Sequence, residues 1–199
     1  DPAYTQDWAF TRADEERAFK RFVDFVMARW AEYPDMHIYH YAPYEPGALK
    51  RLMGRYATRE DEIDRMLRGG LLVDLYAVVR QGIRASVESY SIKAIEALYG
   101  FVRMAEVMGG DESTVLFEKW LESGDDSLLR DIEAYNEEDC RSTVALHEWL
   151  LSLRPRDVPW RLPPDERPRS EAAEERDAER AALEAELLWP RVWQMACRL

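Results

Sequence analysis

Cysteine is nearly absent from this sequence, which contains only Cys140 and Cys197 among 199 residues. Two cysteines cannot build a disulfide scaffold, so we expect a cytoplasmic protein kept in a reducing environment. No apolar run approaches the roughly 18 residues that a membrane-spanning helix requires, and the polar start is unlike a signal peptide. A surplus of positive charge is also missing, because 39 acidic residues outnumber 27 basic ones. This balance argues against a protein that binds nucleic acid through its overall charge, but it does not exclude a local nucleic-acid-binding site.

The sequence does contain enough apolar residues for a packed domain, and its composition changes near residue 154. Hydrophobic residues make up 47% and charged residues 33% of the chain, which is enough for a packed core and lies well outside the composition of disordered proteins. We expect one domain over residues 1–153, a proline-rich linker over residues 154–170 and a helical segment over residues 171–199.

Periodicity and turn residues predict a helix-rich chain with a few short strands. An alternating segment at residues 3–10 and an aromatic, β-branched segment at residues 36–42 are predicted strands. A Thr11–Asp14 capping box is expected to start the first helix, and Glu45 is expected to cap the helix after the second strand. Further helices are predicted from a Thr58 cap to Gly69, from Ser91 to Tyr99, from Glu112 to Leu121 and from Ser127 to Leu153.

The last of these helices places a carboxylate in an otherwise largely apolar row. Residues at steps of three or four share one helix face, and this row comprises Leu128, Ile132, Tyr135, Asp139, Thr143, Leu146 and Leu150. An unpaired buried carboxylate is costly, so Asp139 is expected to meet a metal ion, an arginine or water in a cleft. The pattern alone favours a salt bridge to an arginine and a functional site equally.

A second group of candidates surrounds the start of the helix after residue 44. Glu45 follows a predicted strand, where ligands gather in open α/β sheets, although simple N-capping is the better explanation of that residue taken alone. Tyr41 and Tyr44 flank it and are candidates for stacking on a nucleic-acid base. Lys50 and Arg51 follow on the same helix as candidates for phosphate contacts, although a basic run is usually a solvated face.

Two motifs in this order resemble those of ribonuclease-H-like 3′–5′ exonucleases. YNEEDCRSTVALH, residues 135–147, resembles the third motif of the DEDDy group, a Tyr-x-x-x-Asp on a helix. IYHYAPYEPGALKRL, residues 38–52, resembles the superfamily's second motif, an aromatic-then-acid step that begins a helix. The intervening VDLYAVVRQ and SYSIKAIEALYGF are also similar. The resemblance covers about residues 4–153 and is strongest to the ribonuclease-H-like domain of predicted RecB-like bacterial nucleases.

The resemblance implies an α/β, ribonuclease-H-like (DnaQ-like) fold and hydrolysis of DNA or RNA with two Mg²⁺ or Mn²⁺ ions. Asp139 would be a metal ligand, Tyr135 would orient the attacking water, and Glu45 would stand where the second motif usually has Asp. Asp74 is a weaker candidate because its position is usually structural. The implied partners are single-stranded nucleic-acid ends and, in the same polypeptide, a RecB-type nuclease region and a helicase region.

The superfamily's first motif, an Asp-x-Glu on the first strand, is absent, since Asp1 has no acid two residues on. The opening strands of this fold lie between the two strands predicted here, which would otherwise be unpaired. We therefore expect these 199 residues to be N-terminally incomplete and to have little activity alone. The competing interpretations are a catalytically degenerate nuclease fold that positions nucleic acid or neighbouring domains, and a helical protein–protein adaptor in which Asp139 is salt-bridged.

Overall fold

The computed structural model describes residues 3–104 and 110–159, which form a helix-rich α/β arrangement. The chain divides into two compact units, Asp1–Arg154 and Pro155–Leu199. The C-terminal helical segment predicted from the sequence lies outside the described residues, and the domain boundaries stay predictions. The elements in chain order are α1 (Arg12–Glu32), β1 (Ile38–His40), α2 (Tyr44–Tyr56), α3 (Glu60–Arg68), β2 (Leu72–Asp74), α4 (Leu75–Gly82), α5 (Ile92–Ile95), a 3₁₀ helix (Glu96–Leu98), α6 (Gly110–Ser123) and α7 (Asp126–Leu153).

The two strands form a parallel sheet. Ile38 pairs with Leu72, and His40 pairs with Asp74. Parallel neighbours need a crossover connection, which α2 and α3 supply here. The sheet has two strands within the part of the chain that the structure describes, so the α/β class rests on this crossover unit.

Two hydrophobic clusters hold the first unit together, one on each face of the sheet. Ile38 and Leu72 pack against the first cluster, whereas Val73, which points to the opposite face, packs against the second. α7 packs against β1 and contributes Leu146 to the second cluster. The buried members are Phe19, Val23, Val26, Leu49, Ile63, Met66 and Leu71 in the first cluster, and Leu75, Val79, Ile95 and Leu146 in the second. No described helix is both long and apolar enough to cross a membrane.

Residues 3–10 do not form the strand that their alternation predicted. A strand needs a neighbour for its N–H and C=O groups, and this segment pairs with no described strand. Its aromatic residues pack against α6 instead: the Trp8 ring stacks on Phe10 at 5.9 Å and on Phe117 at 6.5 Å between centroids. The alternation therefore reflects packing on a helix.

The helix start at Thr11 is confirmed, whereas the one predicted at Glu45 is wrong. Thr11 Oγ1 accepts a hydrogen bond from Asp14 N at 3.1 Å, and Asp14 Oδ2 accepts one from Thr11 N at 3.0 Å. α2 begins earlier than expected, with Pro43 as its N-cap and Tyr44 as its first residue. Glu45 lies within the first turn, where a negative charge is still favourable. Its carboxylate is therefore not required to cap the helix.

Candidate functional site

A cleft of about 830 Å³ is lined by residues of α1, β1, α2 and α7. Much of its wall is apolar and includes Phe19, Phe22 and Leu52. Glu45 of α2 and Asp139 of α7 also line it, so two acidic residues distant in sequence border the same space. The sequence analysis identified both of these acids.

The predicted site residues fall into two groups. Those that line the cleft are Tyr41, Tyr44, Glu45 and Asp139. Those outside its lining are Tyr135, Asp74, Lys50 and Arg51. The structure therefore brings Tyr44, Glu45 and Asp139 to one cleft, whereas Tyr135, Lys50 and Arg51 lie outside its lining.

Asp139 is paired with an arginine, which is one of the two alternatives that its position in the sequence left open. Arg103 Nη2 lies 2.7 Å from Asp139 Oδ1. The same guanidinium binds Glu96, through Nε at 3.0 Å and Nη2 at 2.6 Å. Asp139 Oδ1 is buried, yet the side chain as a whole is 38% exposed and lines the cleft. The salt bridge and the cleft, treated as alternatives from the sequence, occur together.

The other carboxylate bound to Arg103 belongs to a buried polar network. Glu96 is only 7% exposed, and a charge so buried needs partners. Ser142 Oγ donates to Glu96 Oε1 at 2.8 Å, and the Tyr99 hydroxyl lies 2.8 Å from Ser142 Oγ. Burial raises the pKa of Tyr99 to about 12, so its hydroxyl stays protonated at neutral pH.

Glu96, Arg103 and Ser142 were missed by the sequence analysis. The one local signal lies in α5 and the turn that follows it, where Ile92, Ile95 and Tyr99 follow one another at helical spacing. Glu96 is adjacent to that apolar face, so a partner for its charge was to be expected. Arg103 lies beyond Gly100 in a segment without helix or strand, where no periodic pattern marks a buried position.

Tyr135 contacts two cations. Lys93 Nζ lies 4.8 Å and Arg103 Cζ lies 5.6 Å from its ring centroid, both within the range of a cation–π interaction. Burial raises the pKa of the Tyr135 phenol, and the negative charge of Asp139 raises it further. The phenol is therefore protonated at neutral pH. The side chain is 8% exposed and does not line the cleft.

Glu45 lies close to a histidine, and its negative charge acts on the same thiol as the charge of Asp139. Its Oε2 lies 3.6 Å from His40 Nδ1, and half of its side chain is exposed. Burial raises the pKa of the Cys140 thiol on the cleft wall, and the charges of Asp139 and Glu45 raise it further. Both carboxylates therefore act on one side chain, which places their charges in the same part of the cleft.

Asp74 has a structural role. Its Oδ1 accepts hydrogen bonds from Tyr76 N and Ala42 N, each at 2.9 Å. The first of these contacts caps α4, and the second ties the end of β1 to the end of β2. Its carboxylate is thus committed to the backbone, as the sequence resemblance suggested for this position.

Of the two cleft tyrosines, Tyr44 is the one available for stacking. The Tyr41 hydroxyl donates to the Tyr90 carbonyl oxygen, and the Tyr41 ring packs edge-on against Tyr76 at 5.5 Å. Tyr44 is 71% exposed, and Arg51 Cζ lies 5.7 Å from its ring centroid. An exposed ring with an arginine beside it combines an aromatic surface with a positive charge.

A family model described as the RNase H superfamily matches residues 3–151. The chain belongs to this superfamily. The match spans the segments of both motifs noted in the sequence and confirms the resemblance of the chain to ribonuclease-H-like proteins, and with it a nuclease-like fold. No curated protein and no solved structure matches the chain.

Nucleases of the RNase H superfamily commonly use divalent metal ions, which need several metal-ligating side chains in the active site. The described residues contain no group of three or more His, Cys, Asp or Glu side chains that could hold a metal ion. Glu45 and Asp139 nevertheless supply two carboxylates to the cleft. Mg²⁺ is often held by one or two carboxylates together with waters and substrate phosphates. The chemistry of these two side chains therefore suits an ion shared with a substrate, and their number is smaller than a two-ion site needs.

Proposed function

We propose that this RNase H superfamily domain is a metal-dependent 3′–5′ exonuclease of the DEDDy type. The observation that carries the proposal is the convergence of Glu45 and Asp139 on one cleft, with Tyr135 one helical turn before Asp139. These are the residues that the order and spacing of the two motifs single out. Its substrates are single-stranded ends of DNA or RNA. The domain belongs to a larger cytoplasmic polypeptide with RecB-type nuclease and helicase regions.

The proposed roles follow from the chemistry of each side chain. Asp139 and Glu45 would hold Mg²⁺ or Mn²⁺, an ion that would supply charge neutralisation at the phosphodiester and a lowered pKa for bound water. The Tyr135 hydroxyl, protonated at neutral pH, donates a hydrogen bond that orients the attacking water. Because Tyr135 is nearly buried, this role requires Lys93 to shift from its ring when substrate enters, while Arg103 stays bound to Glu96.

The substrate contacts are proposed for the exposed side chains at the start of α2. Tyr44 stacks on the terminal base, with Tyr41 forming the cleft wall behind it. Lys50 and Arg51 are exposed on the same helix and contact backbone phosphates, which position a strand without reading its sequence. This division of roles is compatible with both DNA and RNA.

A second candidate function is a catalytically degenerate module that positions nucleic acid or neighbouring domains. It is favoured by one observation, the ion pair between Arg103 and Asp139. A carboxylate neutralised in this way serves the fold without any metal ion. In this case Asp139 and Tyr135 would stabilise the loop that carries Arg103.

Cleavage of 5′-labelled single-stranded DNA and RNA in Mn²⁺ separates the two candidates. The exonuclease proposal expects a ladder of 3′-shortened products from the full-length polypeptide that carries this domain, and little cleavage by the 199 residues alone. Asp139→Asn should abolish the ladder. Asp131→Asn, an exposed position on the same helix, is the matched control and should leave it unchanged. A ladder that survives Asp139→Asn, or no ladder from the full-length polypeptide, would contradict the exonuclease proposal.

A further inference from the structure

We infer that Arg103 is a positioning residue: anchored by Glu96, it holds one carboxylate oxygen of Asp139 and leaves the other to the cleft. The inference rests on the proposed function, because it assigns Arg103 a role in presenting a metal-binding carboxylate. Arg103 belongs to neither motif. Its assignment comes from its contacts alone.

The anchor is the interaction between Arg103 and Glu96. Nε lies 3.0 Å from both carboxylate oxygens of Glu96, and Nη2 lies 2.6 Å from Oε1. Paired hydrogen bonds of this kind fix the plane of a guanidinium as well as its position. Glu96 is in turn held by Ser142, a fully buried residue of α7. The direction of the Arg103 side chain is therefore set from inside the protein.

The two oxygens of Asp139 are in different environments. Oδ1 is buried and lies 2.7 Å from Arg103 Nη2, but it accepts no well-aligned hydrogen bond in the described structure. Because the side chain is still 38% exposed, its exposure comes from its other atoms. A carboxylate has lone pairs on both oxygens, so an ion pair at Oδ1 leaves Oδ2 able to bind a cation. Carboxylate ligands of metal ions are ordinarily oriented by such outer contacts.

The charges also favour positioning over competition. Two carboxylates, Glu96 and Asp139, share the single guanidinium of Arg103, which leaves the trio one negative charge in excess. A divalent cation is therefore still attracted to it. Removal of Arg103 would leave two like charges close together, and Asp139, the more exposed of the two, would turn away towards solvent.

The test is the affinity of the 199-residue chain for Mn²⁺ in the presence of a short single-stranded oligonucleotide. It is measured from the free-ion signal in electron paramagnetic resonance and corrected for the Mn²⁺ that the oligonucleotide binds alone. Arg103→Gln should weaken Mn²⁺ binding roughly 10–100-fold, the usual effect of losing an outer contact to a metal ligand. The matched control is Arg141→Gln, which removes the same charge from a surface pair with Glu137 on α7. Its affinity should match that of the wild type.

A second variant covers the risk that Arg103→Gln leaves Glu96 buried without a counter-charge and unfolds the protein. Glu96→Gln combined with Arg103→Gln removes both charges, and the new amide oxygen still accepts from Ser142. A folded double variant, checked by circular dichroism, should show the same weakening. Unchanged or tighter Mn²⁺ binding would overturn the inference, because tighter binding would mean that Arg103 competes with the cation.

Failure of the proposed function has a different signature in the same experiment. If the wild type binds no Mn²⁺, or if Asp139→Asn leaves binding unchanged, the metal site and the positioning role both fall. If Asp139→Asn abolishes binding while the double variant keeps it, the metal site stands and the role of Arg103 is refuted.

Discussion

Ser142 Oγ donates a hydrogen bond to Glu96 Oε1 at 2.8 Å, in the interior between α7 and the 3₁₀ helix. The contact is one link in a chain of polar side chains that runs from Tyr99 through Ser142, Glu96 and Arg103 to Asp139. Ser142 and Glu96, in the middle of this chain, are buried, and the Asp139 end lies at the cleft. The packing of α7 and the orientation of the proposed metal ligand are therefore linked.

Ser142→Ala should destabilise the protein by about 1.5–3 kcal/mol, because it removes a hydrogen bond to a buried charge and leaves Tyr99 without its partner. Urea unfolding followed by circular dichroism measures the change. Ser152→Ala is the control: its hydroxyl donates to the Trp149 carbonyl oxygen at an exposed position, and its removal should change stability by less than about 0.5 kcal/mol. Equal effects of the two substitutions would contradict the importance of the buried network.

Thr11→Ala should lower the free energy of unfolding by about 0.5–2 kcal/mol, because it removes the side-chain cap of α1. Thr58→Ala is a stringent comparison, since the sequence predicted a cap there too. In the structure Arg59 is the N-cap of α3, with φ of 59° and no side-chain cap bond. Thr58→Ala should therefore have little effect in the same urea experiment, and a loss equal to that of Thr11→Ala would count against the described start of α3.

Substitution by alanine should change the stability of the protein in opposite directions at two glycines. A Cβ at Gly69 would lie 2.7 Å from Trp30 Cη2 and 2.8 Å from the Arg65 carbonyl oxygen, so Gly69→Ala should destabilise by about 1–3 kcal/mol through overpacking. Gly54 lies within α2 with nothing within 4 Å of such a Cβ. Gly54→Ala should therefore stabilise by about 0.5–1 kcal/mol. Thermal unfolding of both variants checks the signs, and a stabilising Gly69→Ala would contradict the packing around Trp30.

Tyr44→Ala should weaken binding of a single-stranded oligonucleotide by about 1–3 kcal/mol, the loss expected for one stacked base. Tyr33→Ala is the matched control, because Tyr33 is also half-exposed beside an arginine, with Arg29 Cζ 5.3 Å from its ring, but lies outside the cleft lining. Fluorescence anisotropy with a labelled oligonucleotide measures both. Equal affinities for the wild type and Tyr44→Ala would remove Tyr44 from the site.

Local sequence signals were sufficient for much of the helical architecture. The Thr11–Asp14 box marks the start of α1, and Gly69 and Gly124 mark the ends of α3 and α6, because capping residues and glycines act on their immediate neighbours. Local signals were insufficient where the structure of a segment depends on contacts with residues distant in sequence. The alternation in residues 3–10 is satisfied by packing on α6, a contact that no local pattern specifies.

In the candidate site, too, local sequence patterns did not specify the tertiary partners of a residue. The row of residues on α7 identified Asp139 as a carboxylate in need of a partner, but it could not choose between an arginine and a ligand. That choice depends on a segment beyond Gly100 that carries Arg103, and on Glu96 and Ser142 meeting in the interior. Such contacts arise from tertiary packing, so sequence spacing predicted the acid and left its partner open.

The most direct test of the central claim is a crystal structure of the chain grown with Mn²⁺ and a short single-stranded oligonucleotide, with Mn²⁺ located by anomalous scattering. We expect an anomalous peak in direct contact with Asp139 Oδ2, while Arg103 remains at Oδ1. An Asp139 carboxylate that contacts only Arg103, with no anomalous peak beside it, would contradict the account.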